Sequence, residues 1–97
     1  MTPTLEQFFV SPDPTEHPGL VLDGTCRASG LRLWTRPEWN IDTTTYGNRI
    51  QFLTRDIVIF RSRGKITSPL AEIWQRNFER MIAEFTRDGR RLVVIED

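Results

Sequence analysis

The chain has 97 residues, of which 38% are hydrophobic and 27% charged, and its 13 basic and 13 acidic side chains cancel. This size and composition predict one small globular domain and argue against disorder throughout. No apolar run approaches the roughly 20 residues of a membrane span, and the N-terminus lacks the basic start and apolar core of a secretory signal. The single cysteine, Cys26, excludes an internal disulfide framework and a multi-cysteine metal site. We therefore expect a soluble, cytoplasmic protein without metal or cofactor.

The basic side chains are concentrated in the middle of the sequence. Residues 1–26 carry four acidic and no basic side chains, whereas residues 27–65 carry eight basic against three acidic ones. Twelve of the 13 basic residues are Arg. Either a GC-rich genome or selection for forked anion contacts, which Lys makes poorly, can cause this bias. A neutral chain argues against broad nucleic-acid coating and leaves a local basic patch open.

Residues 1–19 predict an N-terminal arm or linker that precedes a single domain, residues 20–97. The segment Thr4–Gln7 has the pattern of a capping box, which favours one or two helical turns. Three prolines follow between residues 11 and 19. Because proline removes backbone donors and favours extended chain, we expect this segment to lie over the surface.

The first strands of the domain are predicted at Leu20–Leu22 and Leu31–Trp34. Gly24 and Gly30 bracket the turn between them, so the pair is expected to form a hairpin. Residues 36–48 follow without a clear period, and so long a structureless segment in a small domain is often functional.

Two further strands are predicted before the helix. Apolar and polar residues alternate over Arg49–Phe52, which indicates a half-buried strand. Ile57–Phe60 is a run of four apolar residues, which indicates a strand covered on both faces. The link Thr54–Asp56 has no glycine, so a tight hairpin and one long bent strand both remain open.

A long amphipathic helix is predicted over residues 68–88, with Ser68 as N-cap and Pro69 in the first position. Gly89 follows as a left-handed terminator. Residues Leu92–Ile95 then predict a second fully apolar strand. The apolar stripe of the helix repeats at three- and four-residue steps: Leu70, Ile73, Trp74, Phe78, Met81, Ile82 and Phe85.

These elements predict an α+β fold: a small mixed sheet of about four or five strands with the helix on one face. The C-terminal part should form a β-α-β unit with parallel strands. One helix covers one face, so the apolar strands need cover on the other. We expect a second copy of the chain to supply it in a homodimer. In the monomeric alternative, four aromatic side chains fold across that face: Phe8, Phe9, Trp34 and Trp39.

A basic loop before the helix predicts an anion site. Arg61, Arg63 and Lys65 follow an apolar strand, and Ser68 stands at the start of the helix. Free N–H groups at a helix N-terminus, the helix dipole and forked Arg contacts all favour a phosphate, a carboxylate or a nucleic-acid backbone. The alternative is a solvated turn.

A second cluster predicts a partner-binding surface. Its residues are of the types that anchor protein interfaces or stack on bases: Trp34, Arg36, Trp39, Tyr46 and Arg49. The alternative is that the indoles fill the core.

No nucleophile elbow, zincin motif or dinucleotide fingerprint is present in the sequence. Cys26 and the single histidine, His17, could pair only if the arm folds back over residues 24–30. We therefore expect no enzyme, but a small binding or regulatory protein that acts through protein–protein contacts as a homodimer. The alternative is an anion- or nucleic-acid-binding protein that uses the loop 61–67, and a small enzyme comes third.

Residues 56–96 are similar to the strand, glycine, helix, strand unit of STAS-type (anti-sigma-antagonist-like) domains. Asp56–Phe60, Gly64–Thr67 and the amphipathic helix carry this resemblance. It implies a STAS-like regulatory domain by analogy of element order, and it assigns no functional residue.

Overall fold

In the computed structural model, which describes residues 9–97, one helix packs on a six-stranded mixed sheet. The α+β prediction is confirmed, although the helix ends at Phe85 rather than at residue 88. The predicted helical turn at Thr4–Gln7 lies outside the described residues. The elements are β1 (Val21–Thr25), β2 (Arg32–Thr35), β3 (Ile41–Asp42), β4 (Tyr46–Thr54), β5 (Ile57–Gly64), α1 (Ser68–Phe85) and β6 (Val93–Glu96).

The strands lie in the order β1-β2-β4-β5-β6, and β3 pairs with β4 on the side where β2 pairs. All pairs are antiparallel except β5 with β6, which are parallel. The β1–β2 hairpin is confirmed. The strands β4 and β5 form a hairpin around Arg55 and Asp56, so the alternative of one long bent strand is wrong. As expected for a β-α-β unit, β5, α1 and β6 follow one another, with β5 and β6 parallel.

The prediction of a structureless segment at residues 36–48 is wrong. It contains a short 3-10 helix (Pro37–Trp39), β3 and the start of β4. Side chains hold these short elements: Asn40 Oδ1 accepts the Ile50 N–H at 2.9 Å, and Thr43 Oγ1 accepts the Tyr46 N–H at 3.0 Å. Such contacts leave no hydrophobic period in the sequence.

Helix α1 begins one residue earlier than the capping prediction implies. Thr67 is the N-cap and makes no side-chain capping hydrogen bond, while Ser68 is the first helical residue. The prediction for Ser68 is therefore wrong, because proline fits either of the first two helical positions and Pro69 does not fix the cap. The prediction of Gly89 as terminator is wrong, because α1 already ends at Phe85 with Thr86 as C-cap. Gly89, with φ +86°, lies in the following turn and donates its N–H to the Thr86 carbonyl at 3.0 Å.

The core lies between α1 and the middle of the sheet. The Phe85 ring is stacked between His17 and Phe52, with centroids 3.8 and 4.1 Å away. Phe60 meets Trp74 and Phe78 edge-on. These contacts place the helix over β4 and β5. The buried members of the core are Leu20, Trp39, Ile50, Phe52, Val58, Phe60, Met81 and Phe85.

The face of the sheet opposite α1, here termed the open face, is covered unevenly. Leu33, Gln51 and Ile59 are buried there, whereas Val93 and Ile95 on β6 are exposed. The sheet is therefore covered on both faces at β5 and bare at β6.

The monomeric alternative does not explain this cover. Trp34 pairs across the strands with Phe52 and therefore faces the helix, and Trp39 lies in the core on the same side. Phe9 is exposed, and Phe8 lies outside the described residues. Strand alternation sets the direction of Trp34, and the short 3-10 helix Pro37–Trp39 places Trp39 in the core on the same side of the sheet.

Candidate interaction surfaces

The aromatic residues of the predicted partner-binding surface lie inside the fold. Trp39 and Tyr46 are buried, and Trp34 is half-buried against the core. Trp39 packs against Phe52 and Phe85 with centroids 5.8 and 5.9 Å away. These side chains stabilise the core and present little surface to a partner.

Arg36, another predicted partner residue, belongs to a partly buried ion cluster. Two of its guanidinium nitrogens each donate to a carboxylate oxygen of Glu84 at 2.8 Å, and its Cζ lies 4.7 Å from the Trp39 ring centroid. His17 Nδ1 lies 2.5 Å from Glu84 Oε2, so the arm is docked on the helix. We refer to His17, Arg36 and Glu84 as the Glu84 cluster.

The contacts of the Glu84 cluster lower the pKa of Glu84 and raise the pKa of Arg36. Hydrogen bonds from Arg36 hold the pKa of Glu84 below its usual value, and the hydrogen bond from His17 acts in the same direction. The same contact with Glu84 raises the pKa of Arg36. Sequence reasoning missed this cluster, because its members come from the arm, the β2–β3 segment and α1, and no local spacing connects them.

Three predicted site residues do come together, but on the open face. In the β4–β5 register Arg49 pairs with Arg61, and Arg63 pairs with Gly47. These arginines line a cavity of about 300 Å³ together with residues of β3 and β4. We refer to Arg49, Arg61 and Arg63 as the arginine row.

Each member of the arginine row already has an acidic partner. Arg49 donates from Nε and Nη2 to Asp23, and this contact keeps the pKa of Asp23 below its usual value. Arg63 donates to Asp42, and Arg61 Nε lies 3.4 Å from Asp97 Oδ2. The row is therefore balanced by three carboxylates, which reduces its attraction for a further anion.

The four residues of the predicted anion site do not converge on the helix N-terminus. Strand β5 continues to Gly64, so Arg61 and Arg63 point to the open face, away from α1. Lys65 and Ser68 are exposed in the connection and the first helical turn. At the end of the strand, Gly64 has φ +78° and lies so close to the Thr45 carbonyl that any side chain would collide with it, so this position requires glycine. The anion site stays a prediction.

Within the described residues 9–97, no strand pairs with the outer side of β6 (Val93–Glu96), here termed the β6 edge. The Val93 N–H donates to the Asp56 carbonyl at 2.8 Å, and the Asp97 N–H donates to the Phe60 carbonyl at 2.9 Å. Because successive residues of a strand alternate, the N–H and C=O groups of Val94 and Glu96 point away from the sheet. Val93, Val94 and Ile95 are 55%, 40% and 43% exposed.

The opposite edge of the sheet, strand β1, is exposed but irregular. Val21 and Leu22 are 45% and 54% exposed. However, a register shift lies between Leu22 and Thr25, and Gly24 has φ +87°. A bulge of this kind bends a strand and hinders pairing with another chain. The β6 edge has no such interruption in its register with β5.

The described residues hold no catalytic constellation that we can identify. His17 contacts Glu84 and Phe85, and hydrogen bonds donated toward the Cys26 sulfur, chiefly by Ser29 and also by Ala28, lower the pKa of that thiol. Within residues 9–97 no group of three or more metal-ligating side chains is present. No helix among those residues is long and apolar enough to cross a membrane.

Comparison with known proteins gives no relative: no family model matches the chain, and neither a curated protein nor a solved structure matches it. The similarity of residues 56–96 to STAS-type domains therefore stays an analogy of element order. The surfaces themselves must carry any proposal on function.

Proposed function

We propose that this chain is a non-enzymatic binding protein that acts through protein–protein contacts, and that its β6 edge receives the partner as an added β-strand. The observation that carries this proposal is the combination of exposed Val93, Val94 and Ile95 with backbone groups that point outward. Proteins usually protect a sheet edge with charge, proline or a bulge, and a regular apolar edge is the surface that strand addition uses.

The other predicted surfaces favour this choice by elimination. Trp39 and Tyr46 are in the core, and Arg36 is bound to Glu84. The arginine row is neutralised by its own carboxylates. The β6 edge offers both the apolar area and the unpaired backbone groups that a stable contact needs.

A peptide with the protein's own sequence 90–97 tests whether the edge accepts a strand. The labelled peptide should bind the full chain saturably in a fluorescence anisotropy titration. A matched control peptide, with the single change Val94→Pro, lacks the N–H that would donate across the edge. We expect the control to bind at least about tenfold more weakly, a free-energy difference of roughly 1.4 kcal/mol.

Two outcomes count against the proposal. Equal affinity for both peptides would indicate contact without strand pairing. No binding of the unsubstituted peptide at high micromolar concentration, by a chain that light scattering shows to be monomeric, would mean that the edge does not take a strand.

A further inference from the structure

We infer that the partner at the β6 edge is a second copy of this chain, with the two β6 strands antiparallel about a twofold axis at Val94. This inference rests on the proposed function and names its partner. Three observations support it. They are the direction of the backbone groups on β6, the order of the charges along β6, and the bulge in β1 at the other edge of the sheet.

The backbone groups restrict the register. Residues that exchange hydrogen bonds across an antiparallel pair must both point outward. On β6 these are Val94 and Glu96, and by the same alternation Leu92. Centring the pair on Val94 lets Val94 bond its own counterpart, and it sets Leu92 opposite Glu96 of the second copy on each side of the axis. Centring it on Val93 would set Glu96 opposite Arg90, outside β6, and centring it on Ile95 would set apolar Val93 opposite Asp97 of the second copy.

The side chains agree with this register. On the open face it sets Val93 opposite Ile95 of the second copy, so that exposed apolar groups cover each other. It also sets Arg91 opposite Asp97 of the second copy, because the sequence runs from basic to acidic along the strand. A parallel arrangement would instead put like charges side by side.

A twofold dimer also closes the assembly. The two sheets would join into one continuous sheet whose outer edges are formed by β1 and the two-residue strand β3, and β1 is interrupted by its bulge at Gly24. In an antiparallel pair of two copies, the basic start of residues 90–97 meets the acidic end of the same segment in the other copy. A partner strand of unrelated sequence would not use this charge order. In the dimer, Val93 and Ile95 of the two copies lie side by side on the open face, which reduces the exposure of both.

The oligomeric state is measured by light scattering after size-exclusion chromatography of the full chain at high micromolar concentration. We expect a mass of twice the 11.4 kDa chain. Val94→Lys should give a monomer, because two like charges would meet at the axis. The control Leu22→Lys changes a similarly exposed side chain on β1 and should stay dimeric. Circular dichroism checks that both variants are folded.

Cysteine cross-linking tests the register in a Cys26→Ser background. Residues that exchange hydrogen bonds across the pair have Cα atoms about 5.5 Å apart, within reach of a disulfide. Val94→Cys should therefore cross-link to itself under mild oxidation. Glu96→Cys should not, because it faces Leu92 of the second copy.

Each result decides between the two proposals. A monomeric chain that still binds the unsubstituted peptide overturns the dimer and leaves strand addition standing. A monomer that binds no peptide overturns both. A dimer that persists in Val94→Lys, or Glu96→Cys that cross-links as readily as Val94→Cys, places the contact elsewhere and overturns this inference.

Discussion

At the scale of single residues, Glu84, like Asp23, is a carboxylate with three side-chain contacts. It accepts two hydrogen bonds from Arg36 and lies 2.5 Å from His17 Nδ1. The Arg36 side chain is only 11% exposed, so it has given up most of its water. Removing a partner from such a pair costs more than the pair contributes, because the remaining charge stays desolvated.

We therefore expect Glu84→Gln to lower the free energy of unfolding by about 2 kcal/mol at neutral pH. Urea denaturation followed by circular dichroism measures the change. The control Glu72→Gln removes an exposed carboxylate from the same helix and should change stability by less than about 0.5 kcal/mol. Equal effects of the two substitutions would mean that the Glu84 cluster contributes nothing beyond surface charge.

At the scale of elements, α1 is packed more tightly at its C-terminal end. Phe85 is 1% exposed between His17 and Phe52, whereas Ile73, near the other end, is 43% exposed. The heptad-like spacing treats both residues as members of one stripe. The helix is held on the sheet chiefly by its last turns.

Truncations along the stripe should reproduce this gradient. Phe85→Ala should cost about 4 kcal/mol of unfolding free energy, because it leaves a cavity between two rings. Ile73→Ala should cost less than about 1 kcal/mol, since an exposed side chain loses little burial. Thermal and urea unfolding of both variants measures the difference. Similar losses would mean that the ends of the helix are packed alike.

The sequence predicted the elements far better than their contacts. Periodicity located the helix and the strands around Leu33, Ile50 and Val58, because burial on one face leaves a regular spacing. It could not separate core indoles from surface indoles, and Trp39 entered the core through a 3-10 turn that has no period. Strand ends are poorly marked as well, so Arg61 and Arg63 were assigned to a loop instead of to β5.

The candidate sites were harder to predict, for a related reason. The β6 edge was visible as an apolar strand, but its exposure depends on the order of the strands in the sheet. The arginine row depends on the β4–β5 register, which sets Arg49 opposite Arg61. Neither the order of the strands nor the β4–β5 register can be read from the sequence, because both arise when distant segments pair.

At the scale of the whole molecule, ion pairs connect segments that are far apart in sequence. Glu84 joins the helix to the arm and to Arg36, and Asp23 joins β1 to Arg49 on β4. Both carboxylates have a pKa below their ordinary values of 4.5 and 3.8, chiefly because of their arginine partners. Protonating either one removes a connection between elements.

The pH dependence of folding follows from these two shifts. In the unfolded chain both groups bind a proton more readily than in the folded protein, so the free energy of unfolding rises with pH while they titrate. Their contribution is fully present above the unfolded pKa values, thus above about pH 5, and is lost as the pH falls through the lower folded-state values.

We expect the urea midpoint to be constant near neutral pH and to fall steeply below about pH 5. The double variant Asp23→Asn/Glu84→Gln should be less stable at neutral pH and have a flatter acid limb, whereas Glu72→Gln should keep the limb of the unsubstituted chain. An acid limb of unchanged steepness in the double variant would assign the loss of stability to other carboxylates.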